Sequence, residues 1–274
     1  MGPVTTASFT ITGQVSAGAQ SSVVLRSDGT IWTSGDNTYG QLGLALNQGL
    51  STPLPVPALT GFKAVASGYY HVLALRNDGT VWAWGSNSDG QLGTGTNLNF
   101  NSQPAQITPL TDIVAVAAGA YHSLAIRSDG TVWAWGSNLY GGLGTGNNAS
   151  ASLPVQIPGL SGAKAISAGL FHSLVLKNDG SVWAFGYNAD GELGIGTATS
   201  VATPQPVSAL STSVSAIAAG RLHSVFLKTD GTVWSTGANA QGQLGNNATT
   251  NSLAPVQVSG LSGVTPRITM LPVA

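Results

Sequence analysis

The chain has no cysteine and very little charge. Nine Lys and Arg stand against ten Asp and Glu in 274 residues, 7% charged in all, for a net charge of −1. Without thiols there can be no disulfide, no zinc–thiolate site and no thiol chemistry. The balanced charge supplies neither the basic footprint that nucleic acid requires nor an acidic tail, so no nucleic-acid partner is expected. No uninterrupted apolar run approaches the ~20 residues of a membrane-spanning helix, and no membrane insertion is expected. The start, residues 1–13, lacks a charged segment followed by an apolar one, so no signal peptide is expected. Against these absences stand 37 Gly, 13 Pro and 42% hydrophobic residues, enough apolar matter for a sizeable core.

That matter is arranged in repeats. The stretch AGAYHSLAIRSDGTVWAWGSN, beginning at Ala118, recurs five times in recognisable form. Its first glycine falls at Gly18, Gly68, Gly119, Gly169 and Gly220, a spacing that alternates between 50 and 51 residues. Asp-Gly pairs at Asp28, Asp78, Asp129, Asp179 and Asp230 keep step, as do Trp32, Trp82, Trp133, Trp183 and Trp234. A second motif, G-[QGE]-L-G, returns at Gly40, Gly90, Gly141, Gly191 and Gly242. The repeats run approximately over 15–64, 65–115, 116–165, 166–216 and 217–264, within a single domain spanning 1–274.

Each repeat reads as four short strands. In the third, these are 114–118, 122–127, 131–135 and an outer strand at 154–157, whose Pro154 suits an edge. The Asp129-Gly130 pair between the second and third strands predicts a type I′ hairpin. The middle strands are apolar or small on both faces, as in sheets packed on both sides by other sheets. Radial stacking of such sheets is an all-β propeller. The Gly and Pro density and the lack of a 3.6-residue period exclude a helical solenoid.

The units YHVLALRNDGTVWAWGSNSDGQLGTG, from Tyr70, and FHSLVLKNDGSVWAFGYNADGELGIG, from Phe171, resemble repeats of the regulator of chromosome condensation family in its bacterial form. The resemblance implies a propeller of four-stranded blades, typically seven, whereas this chain has five complete repeats. The terminal repeats differ from the rest. Trp84, Trp135 and Phe185 follow the shared Trp by two residues, but Ser34 and Thr236 stand there in repeats one and five. Ser21 stands where the others have His71, His122, His172 and His223. Atypical end repeats are expected where outer faces meet solvent. A closed five-bladed ring is favoured, with 1–14 and 265–274 as closing strands through 8–12 and 267–271. The alternative is a partial propeller, completed by self-association or belonging to a longer protein.

Four in-step histidines are the most tempting chemistry. A propeller spreads them around a ring, and no carboxylate cluster accompanies them, so each imidazole is expected to bond backbone near its own strand start. No metal site and no cofactor are expected. Five of the nine Asp are turn residues and Glu192 is the only Glu, which leaves no paired acids for glycoside hydrolysis. No nucleophile elbow, Walker loop or dinucleotide fingerprint is present, and the chain is read as a non-enzyme.

The positions that vary between repeats are more informative. The pair after the first glycine is Ala19-Gln20, Tyr69-Tyr70, Ala120-Tyr121, Leu170-Phe171 and Arg221-Leu222. On one face, Tyr69, Tyr70, Tyr121, Phe171 and Arg221 would form an aromatic patch with one cation, a composition typical of interfaces. Inward packing of the second residue of each pair is the competing reading. A second variable slot, with Tyr39 and Tyr140 among its residues, is expected on the opposite rim. The loops at 44–51, 94–102, 145–152, 195–203 and 246–252 are long, polar and uncharged.

The leading expectation is therefore a non-catalytic scaffold that binds a protein, or a glycan, through variable turns. Guanine-nucleotide exchange on a small GTPase, which the resemblance implies for the family's nuclear founder, is the alternative. A hydrolase or lyase using a ring histidine comes third. Low charge and asparagine-rich loops suggest a bacterial secreted or surface setting.

Overall fold

The computed structural model describes residues 13–46, 48–96 and 98–265. They form twenty strands in five antiparallel sheets of four, each sheet ordered as the chain runs. We call these blades 1 to 5; they span 14–55, 62–106, 113–156, 163–206 and 214–257. The repeat boundaries read from the sequence fall inside the first strands of blades 2 to 5. In blade 3 the strands are Ile113–Ala118, His122–Arg127, Val132–Gly136 and Ala151–Gln156. The innermost strands, rich in Ala, Ser and Gly, converge so that residues 17–19, 67–69, 118–120, 168–170 and 219–221 line one axial cavity. The proposed closing strands at 8–12 and 267–271 lie outside the described residues.

The hairpin at each Asp-Gly pair is not type I′. Only its glycine takes positive φ, 80° at Gly130, while Asp129 does not. Gly130 N–H donates to Arg127 O and Arg127 N–H to Thr131 O, which makes a three-residue loop ending in a left-handed glycine. Asp129 instead caps the loop, its Oδ1 accepting from both Thr131 N–H, at 2.9 Å, and Thr131 Oγ1, at 2.6 Å.

Alternation along the middle strands sends side chains to both neighbours. On blade 2, Val72, Ala74 and Trp84 pack with Val23, Leu25 and Ile31 of blade 1. Leu73, Leu75, Val81 and Ala83 pack with Ala125 and Trp135 of blade 3. The in-step Trp82, Trp133, Trp183 and Trp234 lie at the edges of the cores and pack against them without being enclosed. Trp32, Trp133, Trp183 and Trp234 are half-buried beneath Arg26, Arg127, Lys177 and Lys228, with the cations 4.5–5.5 Å from the ring centroids. The fully buried aromatics are those two residues further on, Trp84, Trp135 and Phe185.

Each of these buried rings seats on a glycine of the preceding blade. A Cβ at Gly93, where φ is 68°, would lie 2.7 Å from Trp135 Nε1, so only glycine leaves room for the indole. Beside this contact runs a hydrogen-bond relay. Ser123 Oγ donates to Gln91 O at 2.8 Å, and that carbonyl also accepts from Trp135 Nε1 at 2.9 Å. Because the hydroxyl proton is committed to Gln91, the 3.0 Å contact between His71 Nε2 and Ser123 Oγ requires hydrogen on Nε2. The same relay joins His122, Ser173 and Gly142 O, and again His172, Ser224 and Glu192 O. The histidines thus bond a serine on the next blade, not local backbone as the sequence suggested. Burial pushes His71 and His172 down to about 3 and His122 to about 4, so all three are neutral at physiological pH.

Among the described residues, four hydrophobic cores join the five blades, where a closed ring needs five. The described residues thus form an open arc. Among them His223 has no serine partner and is only half-buried, while Ser22, the first-blade counterpart of Ser123, is exposed.

Replacement of the two tryptophans of blade 3 should separate their roles. Trp135→Ala is expected to cost about 3–5 kcal/mol in urea unfolding, as for a fully buried aromatic. Trp133→Ala is expected to cost less, about 1–2 kcal/mol, since the ring is half-buried at the edge of the core beneath Arg127. Equal losses would contradict this assignment of the cores.

Candidate functional site

In an antiparallel blade, the turn after strand one and the loop after strand three must lie at the same end. Both variable slots therefore share one face, and the expectation that Tyr39 and Tyr140 lie on the opposite rim is corrected. The slot-two residue of one blade meets the turn residue of the next: Tyr39 lies 5.0 Å from Tyr70 and Tyr140 lies 5.1 Å from Phe171, centroid to centroid.

The result is a continuous band of rings across blades 1 to 4. From Tyr39 and Tyr70 it continues to Tyr69 at 6.1 Å, then to Tyr121 at 5.8 Å, and to Phe171 at 5.5 Å, where the two rings are stacked at 17°. A seventh ring, Tyr187, closes the far end, 4.9 Å from Tyr140. Tilted, edge-on and stacked geometries at these distances suit aromatic quadrupoles. Tyr39 and Tyr140 are exposed, and Tyr69, Tyr70, Tyr121, Phe171 and Tyr187 are half-buried. Inward packing, the competing reading for these side chains, thus accounts for only part of each ring's surface. Arg221 is exposed at the mouth of the axial cavity, and its charge reaches Tyr121. Burial first, then the neighbouring Tyr70, Tyr69 and Asp89, raise the Tyr121 phenol above its ordinary value, so it remains a neutral donor.

Tyr187 escaped the sequence reading. It occupies the slot of Asp36, Ser86, Ser137 and Ala238 in the other repeats, and its being the one aromatic there was a usable signal. Its neighbour Glu192 changes with it. Gln41 and Gln91 use their amide groups to bond Asp36 Oδ2 and Ser86 Oγ, the residues in the slot Tyr187 occupies. Glu192 Oε2 accepts Asp190 N–H at 3.0 Å, but its buried Oε1 has no partner among the described residues. Burial pushes the Glu192 carboxyl up to about 7.

Above the slot-two residues, a buried asparagine staples each long loop. In blade 3, Asn138 Oδ1 accepts Leu143 N–H at 2.9 Å and its Nδ2 donates to Asn147 O and Ala149 O at 2.9 and 3.0 Å. Asn37, Asn87, Asn188 and Asn239 repeat the bond to the glycine-loop leucine. The loops that flank the aromatic band are held in place by this device. Among the described residues, no group of three or more His, Asp or Glu is arranged to hold a metal ion, and no helix is long and apolar enough to cross a membrane.

Glu192 makes the stability of this face depend on pH. Its carboxyl keeps a proton in the folded state that the unfolded chain releases near its ordinary value, so its stabilising contribution is complete at acid pH and is lost as pH rises through about 7. The buried histidines act oppositely, their contribution being present above about pH 6.5 and lost as pH falls below it. Glu192→Gln, which restores the residue of repeats one, two and five, is expected to stabilise the fold at about pH 8 by about 1–3 kcal/mol and to change little at about pH 5. Urea melts of both proteins at the two pH values measure this, and equal effects at both would contradict a protonated Glu192.

Comparison with known proteins matches this geometry. An RCC1-like domain model matches residues 3–271. The human protein named "Probable E3 ubiquitin-protein ligase HERC4" is 37% identical over 257 residues, 91% of this chain and 24% of its own length. The Arabidopsis thaliana "Ultraviolet-B receptor UVR8" is 34% identical over 137 residues, 48% of this chain and 31% of its own. The chain spans 13% to 24% of the length of the HERC ligases it matches. A crystal structure of human WBSCR16 superposes with a TM-score of 0.80 and 26% identity, over 90% of this chain and 67% of that one. Prp20p from Saccharomyces cerevisiae superposes with a TM-score of 0.67 at 21% identity, over 89% and 76%. With five radial four-stranded sheets and a family match across nearly its whole length, this chain belongs to the RCC1-like domain family.

Proposed function

We propose that this propeller is a non-catalytic scaffold that binds a protein through the aromatic face. The observation that carries the reading is the unbroken band of seven rings from Tyr39 to Tyr187, part-exposed, on one face and flanked by Arg221. Tyr and Arg combine large contact area with polar tips, which is why they anchor interfaces. Tyr side chains also lose little rotamer freedom when they are covered. The rigid blades beneath supply the preorganisation that keeps such a face inexpensive to dock. The histidines support the non-catalytic reading, since His71, His122 and His172 are fully buried and committed to the inter-blade relay.

The long uncharged loops around the face extend the reading to a glycan partner, and a bacterial surface or secreted setting accords with the low charge. Exchange on a small GTPase is kept as the second reading because the solved structure of Prp20p is described with its binding to Gsp1p and histones. A nucleotide-release assay with candidate GTPases tests it, and acceleration at micromolar protein would favour exchange over scaffolding.

The aromatic face is tested by the double variant Tyr69→Ala with Tyr121→Ala. Both side chains are half-exposed, so the fold is expected to persist. Partners captured by the wild-type protein, or glycans retained on an array, should bind the variant at least ~10-fold more weakly, because two central anchors cost roughly 1–2 kcal/mol each. Unchanged binding with an unchanged circular dichroism spectrum would remove the aromatic face from the account.

A further inference from the structure

We propose that the two free sides of the arc bind one another between copies of this chain, head to tail, with blade 1 of one copy packed on blade 5 of the next. This surface is the flank of the arc, and the inference does not depend on the aromatic face.

Three complete relays lie inside the molecule. Each needs a histidine and a glycine-loop carbonyl from one blade, and a serine from the blade that follows. Blade 5 presents the first half without a follower, and blade 1 presents the second half without a predecessor. On blade 5, His223 holds its ring against Gly220 as the other three histidines do against their glycines, but no serine meets it among the described residues. A Cβ at Gly242 would meet nothing within 4 Å, whereas one at Gly90 would lie 2.7 Å from Ser152 of the next blade. Val225 is half-buried, although its counterparts Leu73, Leu124 and Leu174 are fully buried. On blade 1, Ser22 is exposed and Val24 half-buried, although the counterparts of Val24 in the other blades, Ala74, Ala125, Val175 and Phe226, are fully buried.

The two halves match in detail. Ser22 stands where Ser123, Ser173 and Ser224 stand, and is the one such serine that faces no blade. Placed on blade 5, its hydroxyl would accept from His223 Nε2 and donate to the Gln243 carbonyl. Ser34 replaces the buried aromatic, and the junction of blades 4 and 5 shows that a hydroxyl serves there: Thr236 Oγ1 donates to Gly191 O at 2.8 Å. Ser34 is therefore placed to donate to Gly242 O. The junction of blades 1 and 2 adds an internal control. There the histidine position is Ser21 and the serine position is Val72, so both members of the pair are absent together. Ser22 and His223 are both present although each lacks a partner within the arc.

Such an interface is heterologous, with different surfaces on its two sides, so it extends in one direction instead of stopping at a symmetric pair. That property gives a decisive experiment. Ser22→Arg blocks only the blade 1 side and Val225→Arg only the blade 5 side, at positions already in contact with solvent. Size exclusion with light scattering, from low to high micromolar protein, is expected to show wild-type mass rising to at least twice that of the monomer. Each variant alone should stay monomeric, and an equimolar mixture should give a dimer and nothing larger. Circular dichroism identical to wild type confirms that both variants fold. A monomeric wild-type protein across the range, as closure within one chain would also produce, overturns the proposal. So does self-association of either variant like wild type, or a mixture that remains monomeric.

Discussion

The structure depends on how one blade locks onto the next. A serine hydroxyl, accepting from a buried histidine and donating to a glycine-loop carbonyl, crosses the gap between sheets at three of the four junctions. A buried aromatic ring, or at the last junction a threonine, covers the same loop. Sheets with apolar residues on both faces could slide over one another, because hydrophobic contact is non-directional. The relay fixes their register with directed bonds, and in a dry gap each such bond is costly to leave unmade. The cost of a neutral buried imidazole is offset by that specificity.

The same lock explains the aromatic face. It requires glycine at fixed places in the loop after strand three and in the turn after strand one, and both lie at one end of the blade. Most of the residues that differ between repeats beside these glycines reach solvent, so the variable positions collect on a single surface. Four blades fill theirs with rings, and adjacent slots bring those rings within 6.5 Å of one another. The Asp-Gly hairpins at the opposite end carry the same capping Asp in every blade and form a uniform surface.

Much of this was legible in the sequence because it recurs. The fold, the number of blades and the strands around His122 and Trp133 follow from the repeat spacing and from two-faced apolar strands. Six of the seven rings were legible as variable residues beside invariant glycines. What the sequence hid are matters of three-dimensional pairing. His71 repeats in step with His122 whether it bonds its own backbone or a serine some fifty residues away, and only blade packing decides between these. The two tryptophans of repeats two and three look equivalent, and in blade 3 both face blade 2, yet Trp135 is enclosed in the core while Trp133, nearer the hairpin, is half-buried at its edge beneath Arg127. The recurring Asn138 was plainly visible, but its work as a loop staple appears only when the carbonyls of Asn147 and Ala149 are in place. Whether the arc closes was open in the sequence, since unlike end repeats fit both a seam and a gap.

The histidine–serine bond between blades is a coupled unit and not two independent packing residues. A double-mutant cycle with His122→Ala, Ser173→Ala and the pair, followed by urea unfolding, measures that coupling directly. An interaction of about 1 kcal/mol or more between the two sites is expected. Single-variant losses that add to within about 0.3–0.5 kcal/mol would contradict it.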